Sequence, residues 1–120
     1  MLTIRIEKFT DLAVVNCRGR ITHSDSVFNL RDAVKSLEDA RVIALDLSEV
    51  EAIGGAGLGM LAHLEQWARE RKIQLKLFCP SKPVMDGLAL YWPVAQFEIA
   101  NIQEMIGLLA QYDYPQRVAA

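Results

Sequence analysis

Residues 42–59 read VIALDLSEVEAIGGAGLG, and they contain the clearest strand-to-helix pattern of the chain. It opens with a nearly unbroken apolar run, 42–47, which is typical of a strand that is covered on both faces. Four glycines follow within residues 54–59, and a long helical pattern begins at about Gly57. A glycine-rich turn from a strand into a helix presents free backbone N–H groups and the positive end of the helix dipole. The stretch therefore predicts a buried strand, a tight turn where an anion could bind, and a helix.

On both sides of this stretch, strand and helix patterns alternate in the order β-β-α-β-α-β-α-β-α. The first two strands are joined by a short turn, so they should pair antiparallel. Helices separate the later strands, which implies parallel pairing with right-handed crossovers. The predicted fold class is therefore α/β, a mixed and mostly parallel sheet with an N-terminal antiparallel hairpin and about four helices. The predicted strands are Leu2–Phe9, Leu12–Cys17, Val42–Leu47, Ile73–Phe78 and Phe97–Ile99. The predicted helices are one that contains Val27, Leu30, Val34 and Leu37 and is capped by Ser24, Asp25 or Ser26, then about Gly57–Lys72, about Pro83–Tyr91, and one from Asn101, where Glu104 completes a capping box.

Size and composition fit one small domain that remains in the cytoplasm. The 120 residues are 52% apolar with a formal net charge of −2, which supplies one hydrophobic core. Acidic and basic residues are interspersed, so there is no basic stripe to bind nucleic acid. The apolar runs are too short for direct membrane insertion, and the N-terminus lacks the pattern of a signal peptide. We assign residues 1–112 to the domain and expect 113–120 to form a flexible C-terminal tail.

No group of residues in the sequence indicates catalysis, a metal or a cofactor. His23, Ser24 and Asp25 lie together at a predicted helix start, where Ser and Asp are ordinary caps. Cys17 and Cys79 lack metal-ligand spacing, and both are expected to be reduced and buried. The glycine turn lacks the Lys-Ser/Thr ending of a phosphate loop, and its glycines do not fit the dinucleotide-binding pattern. We therefore expect no catalytic residue, no metal and no cofactor.

Several short motifs resemble the STAS domain family, named for sulphate transporters and anti-sigma factor antagonists. Residues 46–50, DLSEV, are similar to the family's strand motif, and residues 56–59, AGLG, are similar to its helix start. Residues 19–21, GRI, resemble the step that follows the family's hairpin, and residues 79–84, CPSKPV, resemble the opening of its third helix. The resemblance covers roughly residues 2–110, and it implies the fold of that family.

The resemblance also implies a position for a phosphate switch, which this chain lacks. In the antagonist members of the family, a partner kinase phosphorylates a serine just before the glycine that opens this helix. Ala56 occupies that position here, and the family's preceding Asp-Ser pair is replaced by Gly54 and Gly55. A phosphate would bring about two negative charges to the helix start, and alanine cannot acquire them. We therefore expect no phosphorylation between Gly54 and Gly59.

The expected partner-binding residues cluster at the start of the long helix. Its main apolar stripe should face the sheet and comprises Met60, Leu61, Leu64 and Ala68. Leu58 and Ala62 are predicted to project away from this stripe and to form the apolar centre of a docking patch with a polar rim. The alternative for Leu58 is packing beneath the turn. The expected contact residues are Gly54, Gly55, Ala56, Gly57, Leu58 and Ala62.

The resemblance implies a protein that acts by stoichiometric docking in a bacterial regulatory system. The first hypothesis is an anti-sigma factor antagonist-like module that works without phosphorylation and binds a nucleotide-binding partner, an ATP-binding anti-sigma kinase. One alternative is a cytoplasmic STAS subunit that regulates the ATPase of a lipid ABC transporter, which also needs no phosphate switch. Another is a module that binds a small anion or apolar ligand at the glycine turn. An enzyme is disfavoured, because no nucleophile–base pair or carboxylate pair can be placed together.

Overall fold

One mixed sheet forms the centre of the computed structural model, which describes the backbone of residues 1–90 and 97–119 and the side chains of 1–90 and 97–112. Its five strands are β1 (Leu2–Lys8), β2 (Leu12–Ile21), β3 (Val42–Ile53), β4 (Gln74–Phe78) and β5 (Glu98–Ala100). They stand in the sheet in the order of the chain. β1 pairs antiparallel with β2, and each later neighbouring pair is parallel. The predicted fold class is confirmed.

Helices cover both faces of this sheet. In the described part of the chain they are α1 (Ser24–Lys35), α2 (Gly55–Glu70), α3 (Lys82–Ala89) and α4 (Ile102–Ala119). The first three each connect neighbouring parallel strands, and every connection steps in the same direction across the sheet. Right-handed crossovers therefore place all three on one face, whereas α4 follows the last strand and packs on the other. None of these helices is long and apolar enough to cross a bilayer.

The sheet separates a large apolar core from a small one. Successive strand residues point to opposite faces, so the side chains of β3 alternate between the two cores. Ile43 and Leu45 belong to the large core, which α1, α2 and α3 cover. Val42 and Ala44 belong to the small core, together with Met105 of α4. All four of these β3 side chains are buried, which confirms the prediction that this strand is covered on both faces.

Gly19 shapes the edge of the sheet near the N-terminus. The pairing of β2 with β3 shifts register twice around this residue. The backbone of Gly19 has a φ of 115°, and a Cβ there would lie 2.2 Å from the carbonyl oxygen of Met1. Both the left-handed backbone and the missing space exclude a side chain, so this position requires glycine.

The helix starts confirm one predicted cap and correct another. The Asn101 side chain accepts a hydrogen bond from the Glu104 N–H (2.9 Å), and the Glu104 carboxylate accepts one from the Asn101 N–H (3.2 Å). This is the predicted capping box. At α1 the N-cap is His23, without a side-chain cap hydrogen bond, so the predicted capping by Ser24 and Asp25 is wrong. Both already lie in the first turn, where Asp25 instead faces the helix dipole favourably.

Several boundaries differ from the prediction. β3 continues past Leu47 to Ile53, and α2 begins at Gly55 rather than Gly57. The predicted end of α3 at Tyr91 lies outside the described residues. α4 runs to Ala119, and so it includes most of the predicted tail, 113–120, whose flexibility stays a prediction.

Two glycine substitutions should change stability in opposite directions. Gly19→Ala should lower the free energy of unfolding by roughly 2–4 kcal/mol, because the new methyl group meets the Met1 carbonyl and the backbone is strained. Gly107→Ala should raise it by about 0.5–1 kcal/mol, because alanine is the better helix former and a Cβ there meets nothing within 4 Å. Urea denaturation of both variants measures the two effects. An unchanged midpoint for Gly19→Ala would contradict the left-handed backbone of Gly19 and its close approach to the Met1 carbonyl.

Candidate functional site

The glycine turn lies where β3 extends beyond its neighbour β4. β3 pairs with β4 only up to Asp46, whereas its pairing with β2 continues to Ile53. Ser81, the residue before α3, lies on the free side of this extension. Its N–H donates to the Leu47 carbonyl (3.2 Å), and its hydroxyl donates to the Val50 carbonyl (2.6 Å). The extension is therefore held from both sides, and it leads the chain into the turn in a fixed direction.

Asp46 stabilises the beginning of this extension. Its carboxylate accepts hydrogen bonds from the Ser48 N–H (3.0 Å) and the Ser48 hydroxyl (2.7 Å). Burial, together with the charge of Asp46, raises the pKa of the Cys17 thiol to about 12, so this thiol stays protonated at neutral pH and is a poor nucleophile. Both cysteines are free. Cys17 is buried as predicted, whereas Cys79 is only half-buried. In the residues that the structure describes, no three His, Cys, Asp or Glu side chains could hold a metal ion.

The start of α2 packs closely on the ends of β2 and β3. The Gly54 N–H donates to the Ile21 carbonyl (3.0 Å). A Cβ on Gly57 would lie 2.8 Å from Cγ1 of Ile53 and 3.0 Å from the Ile21 carbonyl oxygen. Any side chain there would push the helix away from the sheet. Gly57 is buried and packs the helix against the sheet, so it is not an exposed residue, and its contact with a partner stays a prediction.

Leu58 is also part of the core. Its side chain is 5% exposed and belongs to the large apolar cluster. It points towards α3, since a Cβ on Gly87 would lie 2.8 Å from both Leu58 methyl carbons. The predicted exposure of Leu58 is therefore wrong, because α3 covers a side of α2 that lies outside the stripe facing the sheet. Ala62, one turn further, is half-buried against the same core and is not the centre of an exposed patch.

The exposed side of the start of α2 has almost no side chains. Gly55, Ala56 and Gly59 are exposed, and His63 lies exposed one turn further. A Cβ on Gly55 or Gly59 would meet nothing within 4 Å. We call these four residues the bare α2 surface. There the helix backbone itself is accessible to another molecule.

The structure therefore divides the expected contact residues into two groups. Residues 54–56 lie at least partly at the surface, whereas Gly57, Leu58 and Ala62 face the core. Gly59 and His63 were missed as contact candidates. Their spacing of four and eight residues from the exposed Gly55 places them on the same side of the helix, and this spacing could have identified them.

Both the sequence and the fold are similar to proteins of one family. A family model described as "Mlab, STAS domain" matches residues 6–91. No curated protein sequence matches the chain.

Solved structures share the fold. The unphosphorylated form of the anti-sigma factor antagonist SpoIIAA, a Bacillus protein, gives a TM-score of 0.69 at 14% identity, covering 88% of this chain and 94% of that chain. An anti-sigma factor antagonist from Mycobacterium paratuberculosis gives 0.66 at 21% identity, covering 82% and 85%. A serine-to-glutamate variant of RsbS from Moorella thermoacetica gives 0.71 at 18% identity, covering 90% and 95%. At such low identities the likeness shows the fold alone.

The packing of Leu58 gives a direct test of this geometry. Leu58→Ala should lower the free energy of unfolding by about 2–5 kcal/mol, because it leaves a cavity between α2 and α3. His63→Ala, on the exposed side of the same helix, is the matched control and should change stability by less than about 0.5 kcal/mol. Chemical denaturation measures both. Equal stability of the two variants would contradict the core position of Leu58.

Proposed function

The chain belongs to the STAS domain family, and on that basis we propose that it is an anti-sigma factor antagonist-like docking module of a bacterial regulatory system. It binds a nucleotide-binding protein through the start of α2, and it does so without phosphorylation. The function resides in residues 1–112, and residues 113–120, which include the end of α4, form the proposed C-terminal tail. It is exercised in the cytoplasm, by binding rather than by catalysis.

The observation that carries this proposal is the exposure of the bare α2 surface. The N-cap of α2, Gly54, provides no side-chain hydrogen bond, and the first turn contains no acidic residue. The first N–H groups of the helix are therefore available to acceptor groups of a partner. Because Gly55 and Gly59 have no side chain, a partner can approach the helix backbone closely.

The framework around the turn also supports docking. Ser81 holds the β3 extension through two hydrogen bonds, and Gly57 seats α2 against Ile21 and Ile53. A surface held in this way can bind with little backbone rearrangement, as pre-organised interfaces do. The start of α2 therefore presents one defined shape to its partner.

The chemistry of the turn supports binding that is independent of phosphorylation. The similar protein SpoIIAA has been solved in unphosphorylated and phosphorylated forms. In this chain, residues 54–59 contain no hydroxyl group, and the exposed Ala56 occupies the position that the family resemblance gives to the serine. A surface that cannot gain a phosphate charge cannot be switched off in that way. The module should therefore be permanently competent to bind.

A second candidate partner is the ATPase of a lipid ABC transporter, bound by the same surface. Two observations are consistent with it: the turn has no hydroxyl group, which this candidate does not need, and the matched family model is not described as an antagonist. Both candidates predict an ATP-binding protein on the bare α2 surface. They differ in the identity of that protein.

Adding charge to the bare α2 surface should weaken partner binding. Ala56→Glu should reduce capture of the ATP-binding partner from an extract of the native host by at least about tenfold, because the new carboxylate is desolvated or repelled at the interface. Ala56→Ser should keep binding, because a hydroxyl at a helix start is small and tolerated. Quantitative mass spectrometry of the captured proteins measures the effect and distinguishes a kinase from a transporter ATPase.

The matched control for this experiment is Gln103→Glu, which adds the same charge at an exposed position of α4. It should capture as much partner as the natural sequence does. An acidic residue in the first turn of a helix is itself favourable, so Ala56→Glu should remain folded by circular dichroism. Undiminished capture by Ala56→Glu would place the interface elsewhere.

The turn should remain unmodified by kinases. After incubation with ATP and a kinase-containing extract of the native host, the peptide that spans 54–59 should carry no phosphate in peptide mapping, because it has no acceptor hydroxyl. The Ala56→Ser variant is the positive control for a kinase that recognises this surface. Phosphate on Ser48 in the natural sequence would instead mean that the switch has moved to the β3 extension.

A further inference from the structure

Among the residues that the structure describes, β1 is an edge strand of the sheet, and one row of its backbone hydrogen-bonding groups is unpaired. The Phe9 N–H donates to the Leu12 carbonyl (2.7 Å), and the Arg20 N–H donates to the Met1 carbonyl (3.1 Å). In the observed register, these bonds make the odd-numbered residues of β1 the hydrogen-bonded partners of β2. The N–H and C=O groups of the alternate residues therefore point away from the sheet. These residues are Leu2, Ile4, Ile6 and Lys8.

We propose that β1 is a homodimer interface, at which it pairs antiparallel with β1 of a second copy of this chain, Ile6 opposite Ile6. In this register Ile4 lies opposite Lys8 of the second copy. Each of these facing pairs consists of outward-pointing residues, so each can exchange both of its backbone hydrogen bonds. The two sheets would join into one continuous sheet across a two-fold axis.

The charges on β1 favour a second copy of this chain as the strand that pairs with it. Arg5 and Glu7 lie on one side of β1 with side chains 76% and 48% exposed, and within one copy they form an exposed ion pair with each other (3.5 Å), which leaves both charges accessible to a second strand; the Glu7 carboxylate also accepts a hydrogen bond from the Asn16 side chain (2.9 Å). With Ile6 on the two-fold axis, Arg5 of each copy lies opposite Glu7 of the other. These are the close, non-hydrogen-bonded positions of an antiparallel pair, where opposite charges stabilise the pairing. Each copy therefore contributes one arginine and one glutamate, and the dimer has two Arg5–Glu7 ion pairs between the copies.

The same charges disfavour the neighbouring registers. Sliding one strand by two residues in one direction places Arg5 opposite Arg5, and sliding it in the other direction places Glu7 opposite Glu7. Like charges directly opposite each other destabilise a strand pair. A slide by one residue sets an outward-pointing residue against an inward-pointing one and breaks the hydrogen-bond ladder. Only the register with Ile6 on the axis combines a complete ladder with opposite charges.

Ile6 adds an apolar contact at the centre of this interface. Its side chain is 36% exposed, although it lies on the same face of β1 as Leu2 and Ile4, which pack against the large core. Pairing on the axis would place the two Ile6 side chains side by side and remove this exposure. The interface contains none of the residues of the bare α2 surface, so the dimer is compatible with the proposed docking.

The test is charge reversal followed by its restoration. Sedimentation equilibrium, from low micromolar to near-millimolar protein, should show a reversible dimer of the natural chain. Arg5→Glu or Glu7→Arg alone places like charges opposite each other twice per dimer, so each should weaken dimerisation by about tenfold or more. The combined variant, Arg5→Glu with Glu7→Arg, restores both ion pairs with reversed sign and should dimerise again. Arg41→Glu, a charge reversal outside β1, should leave the dimer unchanged.

A backbone variant tests the hydrogen-bond ladder separately. Ile6→Pro removes an N–H that points to the open edge and leaves the pairing of β1 with β2 intact, so the chain should fold by circular dichroism but remain monomeric. A natural chain that is monomeric throughout the concentration series would overturn the proposal. So would a dimer that survives both single reversals and Ile6→Pro, or a combined variant that stays monomeric although it is folded.

Discussion

The close seating of α2 on the sheet is the contact on which the other features of the site depend. Gly57 approaches the Ile21 carbonyl and the Ile53 side chain at distances that leave no room for a Cβ. This approach fixes the rotation of the helix about its axis. The rotation in turn directs Leu58 into the contact with Gly87 of α3 and leaves Gly55 at the surface. A single missing side chain thus determines which residues are core and which are available to a partner.

The framework around this contact is built from the backbone rather than from charge. β2 and the start of α3 hold the β3 extension through main-chain carbonyls, those of Leu47 and Val50 on the α3 side. Two ion pairs near this framework, Arg18–Glu49 and Lys82–Asp86, lie on the exposed surface, where such pairs contribute little to stability. The shape of the site should therefore be insensitive to moderate changes in ionic strength, whereas pairing at the β1 edge depends on charge.

Patterns among residues close in sequence predicted the fold. Contacts between elements distant in sequence determine which residues of α2 are buried. The alternation of strand and helix patterns predicted the sheet, and the spacing of Asn101 and Glu104 predicted the capping box of α4. Both predictions succeeded because they depend on residues close in sequence. The burial of Leu58 could not be inferred from the helical period of α2, because α3 covers that side of the helix. The β3 extension was missed because Glu49 and Glu51 interrupt the apolar run, although both are exposed beside the buried Val50. Family resemblance directed attention to the start of α2, but it did not indicate which residues there face outward.

If the bare α2 surface binds a partner as proposed, its composition, mainly glycine and alanine, affects how its specificity can be measured and how it can change. Alanine scanning reports the cost of removing atoms, and at Gly55, Ala56 and Gly59 there is almost nothing to remove. Binding to such a surface depends on the space that the missing side chains leave. Mutations that abolish binding should therefore be substitutions that introduce a larger side chain. Alanine scanning would therefore detect no effect at these positions. Saturation mutagenesis should instead yield variants with larger residues here that fold normally but do not bind the partner.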